Sequence, residues 1–126
     1  MKKILIVVAD YYEDISLSLL KSAVDKLKKF SIKVIKVPGV FEIPVIISKN
    51  IKKYDGFLAL GCVIKGETPH FDFISSATTH AIMSLSVVNK KPIGNGLITC
   101  LNKKQAIARS KKGKEAAEAV DSVLSL

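Results

Sequence analysis

Near the start of the chain six apolar residues follow one another without a break, Ile4-Leu5-Ile6-Val7-Val8-Ala9, until Asp10 ends the run. Such a segment has no polar face to turn to water. As a strand over residues 3–9 it must be covered on both sides, which is the condition of a central strand in a parallel sheet. It is far too short to span a bilayer. The lysines before it give a superficial likeness to a secretory leader, but Asp10 ends the apolar stretch and no clean small-residue cleavage site follows. The expectation is a cytoplasmic protein that makes no use of a membrane.

A two-sided strand needs helices on both faces, and the rest of the sequence supplies them. From Glu13 to about Phe30 apolar residues recur at Ile15, Leu19, Leu20, Ala23, Val24, Leu27 and Phe30, the spacing of a broadly buried helix. Ile32 to Val37 reads as a second strand, with Lys33 and Lys36 suited to a sheet edge. After the Pro38-Gly39 turn a helix runs from Pro44 to about Lys53, with the proline tolerated only in its first turn. A third strand begins at Gly56 and ends at a loop opening with Gly61. Pro69 to Asn89 reads as a long helix burying Ile74, Ala77, Ala81, Leu85 and Val88. Ile93 to Thr99 is the fourth strand. Asn102 caps a helix through Lys112, and Gly113 separates it from a last helix with Ala116, Val120 and Val123 on one face. Strand and helix alternate four times, so the fold class is α/β: one domain over residues 1–126, a four-stranded parallel sheet with helices on both faces and right-handed crossovers. In such sheets ligands bind beyond the carboxyl ends of the strands.

One of those ends carries unusual chemistry. Between the third strand and the long helix lie Gly61, Cys62, Val63, Ile64, Lys65, Gly66, Glu67, Thr68, Pro69 and His70. Thr68 is a good N-cap and Pro69 suits the first helical position, which places His70 in the first turn. Free N–H groups and the positive end of the helix dipole favour an anion there, and Gly66 lets the backbone approach it closely. Glycine and Thr-Pro at such a turn also serve capping alone, and both readings stand.

Composition narrows the partners. The net charge of +9 raises the question of nucleic acid, but the basic residues are scattered singly and in pairs, and no aromatic-basic motif of an RNA-binding sheet is present. Of 20 basic residues 19 are lysine and only Arg109 is arginine. Either its planar fork is needed for a carboxylate or phosphate, or it is there by chance. The two cysteines, Cys62 and Cys100, lack metal-ligand spacing and fit reduced thiols. No metal site is expected. A signalling receiver, suggested by Asp10 at the end of the first strand, lacks an acidic residue at Gly61-Cys62 where that chemistry needs one.

Three separated segments together resemble one family. Val37-Pro38-Gly39-Val40-Phe41-Glu42-Ile43-Pro44, then Gly61 through Asp72, then Gly96-Leu97-Ile98-Thr99 with Gln105-Ala106 and Arg109 are similar, in order and spacing across nearly the whole chain, to lumazine synthase. The resemblance implies a flavodoxin-like three-layer fold and a transferase of riboflavin biosynthesis that needs no cofactor. The amine of 5-amino-6-(D-ribitylamino)uracil would condense with the ketone of 3,4-dihydroxy-2-butanone 4-phosphate. Loss of phosphate and ring closure would then give 6,7-dimethyl-8-ribityllumazine. His70 would give and take protons. Tyr11 would stack on the pyrimidine, with Val40, Phe41, Glu42, Cys62, Val63, Ile64 and Asn95 around the ribitylaminouracil. Gly66, Glu67, Thr68 and Arg109 would hold the phosphate. Phe41 could equally be a core residue, Lys112 matches a family lysine only under one gap placement, and His80 is read as structural. Asn95 stands where many members carry an aromatic ring.

Further consequences of the resemblance concern assembly and partners. Sites between subunits of a homo-oligomer are implied, and a pentamer rather than a larger shell is expected here, since the first strand begins at residue 3 and leaves almost no arm for a neighbour's sheet. Riboflavin synthase would be the downstream enzyme. The alternative is a homologue that binds lumazine or flavin without turnover.

Overall fold

A computed structural model describes residues 1–67 and 69–126. Four parallel strands, β1 (Lys3–Ala9), β2 (Ser31–Val37), β3 (Gly56–Ile64) and β4 (Ile93–Cys100), form one sheet in the order β2-β1-β3-β4. Among the described residues five helices accompany them: α1 (Glu13–Val24), α2 (Ile43–Asn50), α3 (His70–Asn89), α4 (Lys103–Ala108) and α5 (Gly113–Leu124). This is the expected α/β three-layer fold. The chain order reverses direction between β1 and β3, the switch point at which open α/β sheets leave a crevice.

β1 is indeed a central strand, and all six residues of its apolar run are buried. Alternate side chains point to opposite layers. Ile4, Ile6 and Val8 join Leu58, Leu60, Ile98, Ile15, Leu19, Ala117 and Val120 in one core, while Leu5, Val7 and Ala9 join Phe57, Ala59, Ile43, Ile47 and Ile82 in the other. The first core lies under α1 and α5, the second under α2 and α3. β2 is the lysine-bearing edge, with only Val37 fully buried.

Several boundaries differ from the sequence reading, and for α1 and β3 a distant partner accounts for the difference. α1 stops at Val24 rather than near Phe30; tightening i→i−3 bonds from Lys26 to Ala23 and from Leu27 to Val24 turn the chain so that Ser31 can donate to the Lys2 carbonyl and start β2. Leu27 stays buried in that turn. α2 begins at Ile43 after a short 3-10 turn, Val40–Glu42, and ends at Asn50. β3 continues past Leu60 to Ile64, because Gly61 to Ile64 pair with Leu97 to Cys100 of β4 after β1 has ended. Pro69 is the N-cap of α3 rather than its first residue, and Thr68, the expected cap, lies outside the described residues. α4 ends at Ala108 rather than Lys112, and Lys112 caps α5.

The inward stripe of α3 is also rotated. Thr78 and Ile82 are its buried residues, with Ile74 and Leu85 partly covered, whereas Ala77 and Val88 face outward. In α5, Ala116 and Val120 are buried as expected, Ala117 joins them, and Val123 is half exposed. Lys90 ends α3 in the left-handed region at φ 56°, just before Pro92.

Candidate active site

At the carboxyl end of the sheet, the loops after β1, β2 and β3 surround a depression of about 560 Å³. Ala9, Tyr11 and Tyr12 line it from the end of β1, and Gly39, Val40, Phe41 and Glu42 from the 3-10 turn after β2. Cys62, Val63 and Ile64 come from the end of β3, and His70 and Ile74 from the first turns of α3. Eight of the residues singled out from the sequence therefore meet in one place: Tyr11, Val40, Phe41, Glu42, Cys62, Val63, Ile64 and His70.

Local packing explains how the wall is built. A Cβ at Gly61 would lie 2.6 Å from Val40 Cγ1 and 3.1 Å from Ala9 Cβ. Glycine there lets the turn after β2 close onto β3, which brings Val40–Glu42 beside Cys62–Ile64. Val40 is buried and anchors the turn, while Phe41 is 60% exposed, so its ring belongs to the depression and not to the core. Tyr11 is 74% exposed. Its ring meets that of Tyr12 edge to face, with centroids 4.9 Å apart and an interplanar angle of 67°. Burial pushes the Tyr12 phenol up, helped by the neighbouring Tyr11 and Cys62.

Burial also pushes the Cys62 thiol up to about 12, with the adjacent Cys100 thiol adding to the shift. Cys62 is therefore a neutral apolar wall near neutral pH rather than a nucleophile. Both cysteines are free and buried. Among the described residues no group of three or more His, Cys, Asp or Glu is placed to hold a metal ion, and no helix is long and apolar enough to cross a membrane.

The remaining candidates lie elsewhere. Gly66 and Glu67 are exposed on the loop between β3 and α3 and do not line the depression; a Cβ at Gly66 would meet nothing within 4 Å. Thr68 lies outside the described residues. Asn95 is exposed on β4, where it borders a separate groove of about 120 Å³ with Thr79, Ile82, Met83, Ser86 and Ile93, and its Oδ1 accepts from the Leu97 N–H at 3.1 Å.

Arg109 follows α4, a six-residue helix held by reciprocal side-chain bonds: Asn102 Oδ1 accepts from the Gln105 N–H at 2.9 Å, and Gln105 Oε1 accepts from the Leu101 N–H at 2.8 Å. The Arg109 guanidinium folds back and donates through Nη1 to the Thr99 carbonyl at 2.9 Å. It borders a second depression, about 530 Å³, with Lys111, Lys112 and Lys114 on its rim together with Glu115 and Glu118. Within one chain the apolar, imidazole-bearing part and the basic part of the candidate site are thus separate. His80 is exposed on α3. Ala9, Tyr12, Gly39 and Ile74 line the depression without having been singled out as site residues; of these Tyr12 has a signal in the sequence, the doubled aromatic directly after β1.

Comparison with known proteins identifies the family. The family model described as 6,7-dimethyl-8-ribityllumazine synthase matches residues 1–126. A 6,7-dimethyl-8-ribityllumazine synthase of Bartonella tribocorum is 45% identical over 133 residues, covering 98% of this chain and 88% of its own. The protein named 6,7-dimethyl-8-ribityllumazine synthase 1 in Rhodopseudomonas palustris is 44% identical over 120 residues, 88% of this chain and 74% of the relative. A synthase of the same name from Corynebacterium kroppenstedtii is 38% identical over 110 residues, 86% of this chain and 69% of the relative.

Proposed function

The chain belongs to the 6,7-dimethyl-8-ribityllumazine synthase family, and from that premise we propose that it catalyses the condensation of 5-amino-6-(D-ribitylamino)uracil with 3,4-dihydroxy-2-butanone 4-phosphate. The observation that carries the proposal is the meeting of three separated segments, Tyr11, Val40–Glu42 and Cys62–Ile64, with His70 around one depression at the sheet's carboxyl end. The amine of the uracil attacks the ketone, and water leaves the carbinolamine to give an imine. Phosphate then leaves with loss of the proton from the neighbouring hydroxyl-bearing carbon, the resulting enol tautomerises to a ketone, and attack of the ribitylamino nitrogen on that new carbonyl closes the ring with loss of a second water. Each step moves protons at nitrogen, oxygen or carbon, and an imidazole is the side chain suited to that near neutral pH.

The roles follow from chemistry and placement. The exposed Tyr11 ring offers a face to the flat pyrimidine, with Phe41 beside it. Val40, Glu42, Cys62, Val63 and Ile64 shape the wall that receives the ring and ribityl chain. Gly66, Glu67 and Thr68 offer backbone donors to phosphate. The fold does not itself require glycine at 66, since a side chain there would meet open space; room for an approaching anion supplies the reason. Arg109 provides the bidentate fork.

His70 and Arg109 occupy different depressions of one chain, so a complete site requires two copies: the arginine and Asn95 of one chain beside the imidazole and Tyr11 of its neighbour. Such a homo-oligomer is proposed to be a pentamer of single-domain chains, acting in the cytoplasm without a cofactor and handing its product to riboflavin synthase.

Purified protein given both substrates should form lumazine, read by absorbance, with stoichiometric phosphate release, faster than the spontaneous reaction. His70→Ala should slow the reaction without abolishing it, because positioning remains, and Arg109→Ala should raise KM for the phosphate substrate. Mixing the two impaired variants under conditions that exchange subunits should restore turnover at sites that receive one intact half from each. Failure of the wild-type protein to accelerate the reaction rejects the proposal, and lumazine binding without turnover would point to the non-catalytic alternative.

A further inference from the structure

The loop leaving β1 carries two tyrosines in different settings. Tyr11 is 74% exposed, whereas Tyr12 is half-buried and packs on the core layer beneath α1 and α5. The Tyr12 backbone carbonyl accepts from the Ser16 N–H at 2.9 Å, which ties it to the first turn of α1. Lys103 Nζ stands 5.8 Å from the centre of the Tyr12 ring. That ammonium is itself directed by Asp14, whose Oδ2 lies 3.4 Å away. Tyr12 is therefore held by the core, by its own helix and by a cation over its ring. It also meets the Tyr11 ring, edge to face at 4.9 Å.

We infer that Tyr12 is a positioning residue of the proposed reaction: it sets the orientation of the Tyr11 ring so that a face is presented to the pyrimidine before substrate arrives. This rests on the function proposed above and extends it to a residue with no part in that scheme. An exposed aromatic side chain with no fixed neighbour must be ordered when the substrate stacks on it, and that ordering opposes binding. An edge-to-face partner removes part of this cost in advance while leaving ring surface free. Both rings border the same depression, so the pair acts where the pyrimidine binds. Lys103 opens α4 and Arg109 follows its end, so the same chain of contacts links the stacking tyrosine to the element that bears the arginine.

Steady-state kinetics of Tyr12→Leu and Tyr12→Phe, with each substrate varied in turn, test the inference. Leucine keeps apolar bulk but removes the ring, and the strength of an aromatic pair predicts an increase of about two- to tenfold in KM for the ribitylaminouracil. The KM for the phosphate substrate and kcat should stay within about twofold, since chemistry and anion binding are untouched. Phenylalanine should restore the wild-type KM, because the ring and not the hydroxyl is at work. An unchanged pyrimidine KM in Tyr12→Leu, or equal changes in both KM values, overturns the inference while leaving the proposed function intact. A wild-type protein without turnover overturns the function and the inference with it. Should the leucine variant fail to fold, ring-to-ring nuclear Overhauser contacts in wild-type protein decide: contacts between Tyr11 and Tyr12, with Tyr11 signals shifting on addition of the pyrimidine, support the inference, and their absence overturns it.

Discussion

The two helical layers of this molecule solve the same problem in different ways. Beneath α1 and α5 the packing is closed within the chain: α5 buries Gly113, Ala116, Ala117 and Val120 in only 12 residues. Backbones approach so closely that a Cβ at Gly113 would collide with the Leu19 carbonyl, and one at Gly94 with that of Ala116. On the opposite side α3 has 20 residues, yet Thr78 and Ile82 are its only fully buried ones among those described. Phe73, Met83, Val87 and Val88 are exposed along it. A long apolar helix face left open to water marks a surface meant for contact. The contrast teaches that one layer closes its core within the chain while the other leaves apolar surface exposed, the kind of surface the proposed homo-oligomer would cover.

The sharpest way to break that contrast is to place the same charge in each layer. Ala117→Glu should cost about 3–5 kcal/mol in urea unfolding, or prevent folding, because an unpaired carboxylate is forced into the closed core. Val87→Glu should leave the helical circular dichroism of the chain intact while lowering its sedimentation mass. Equal loss of stability, or an unchanged mass in the second variant, would remove the distinction.

A smaller effect is expected inside the open layer. The Thr78 hydroxyl is buried and has no hydrogen-bond partner among the described residues. Thr78→Val keeps the shape and removes the unpaired oxygen, so it should stabilise the protein by about 1 kcal/mol. A loss of stability would mean that the hydroxyl is used.

A last effect concerns pH and the closed layer. Burial holds the Cys62 thiol neutral up to about 12 from an ordinary 9.0. Between these values the folded chain keeps a proton that the unfolded chain releases, so this contribution to stability is full below about pH 9 and falls as pH rises through the window. Cys62→Ala should make the alkaline decline shallower than in wild-type protein, and parallel unfolding profiles would contradict it.

Much of the site is legible in the sequence because its residues sit at the ends of strands whose apolar character is local. The run Ile4–Ala9 announces a central strand, and Tyr11, just beyond its end, falls at the crevice. Pro69 and its neighbours place His70 in a first helical turn, and it is there. The rest depends on remote neighbours. Phe41 can be core or ring contact until the approach of Val40 to Gly61 turns it outward. A stripe drawn on α3 from apolar residues alone counts Ala77 and Val88 inward, although they belong to its exposed face. Because α3 carries apolar residues on its exposed face as well as on its inward one, periodicity does not say which side meets the sheet.

By itself, then, the amino-acid order determined the kind and succession of the elements, the two-sided burial of β1, and which loops carry imidazole, aromatic rings and guanidinium, since these depend on side chains near one another in sequence. Tertiary structure alone decided the strand order, the extension of β3 along β4, the stop of α1 at Val24, and the separation of Arg109 from His70. Those outcomes are set by hydrogen bonds and packing between segments far apart in the chain, which no local pattern of residues encodes.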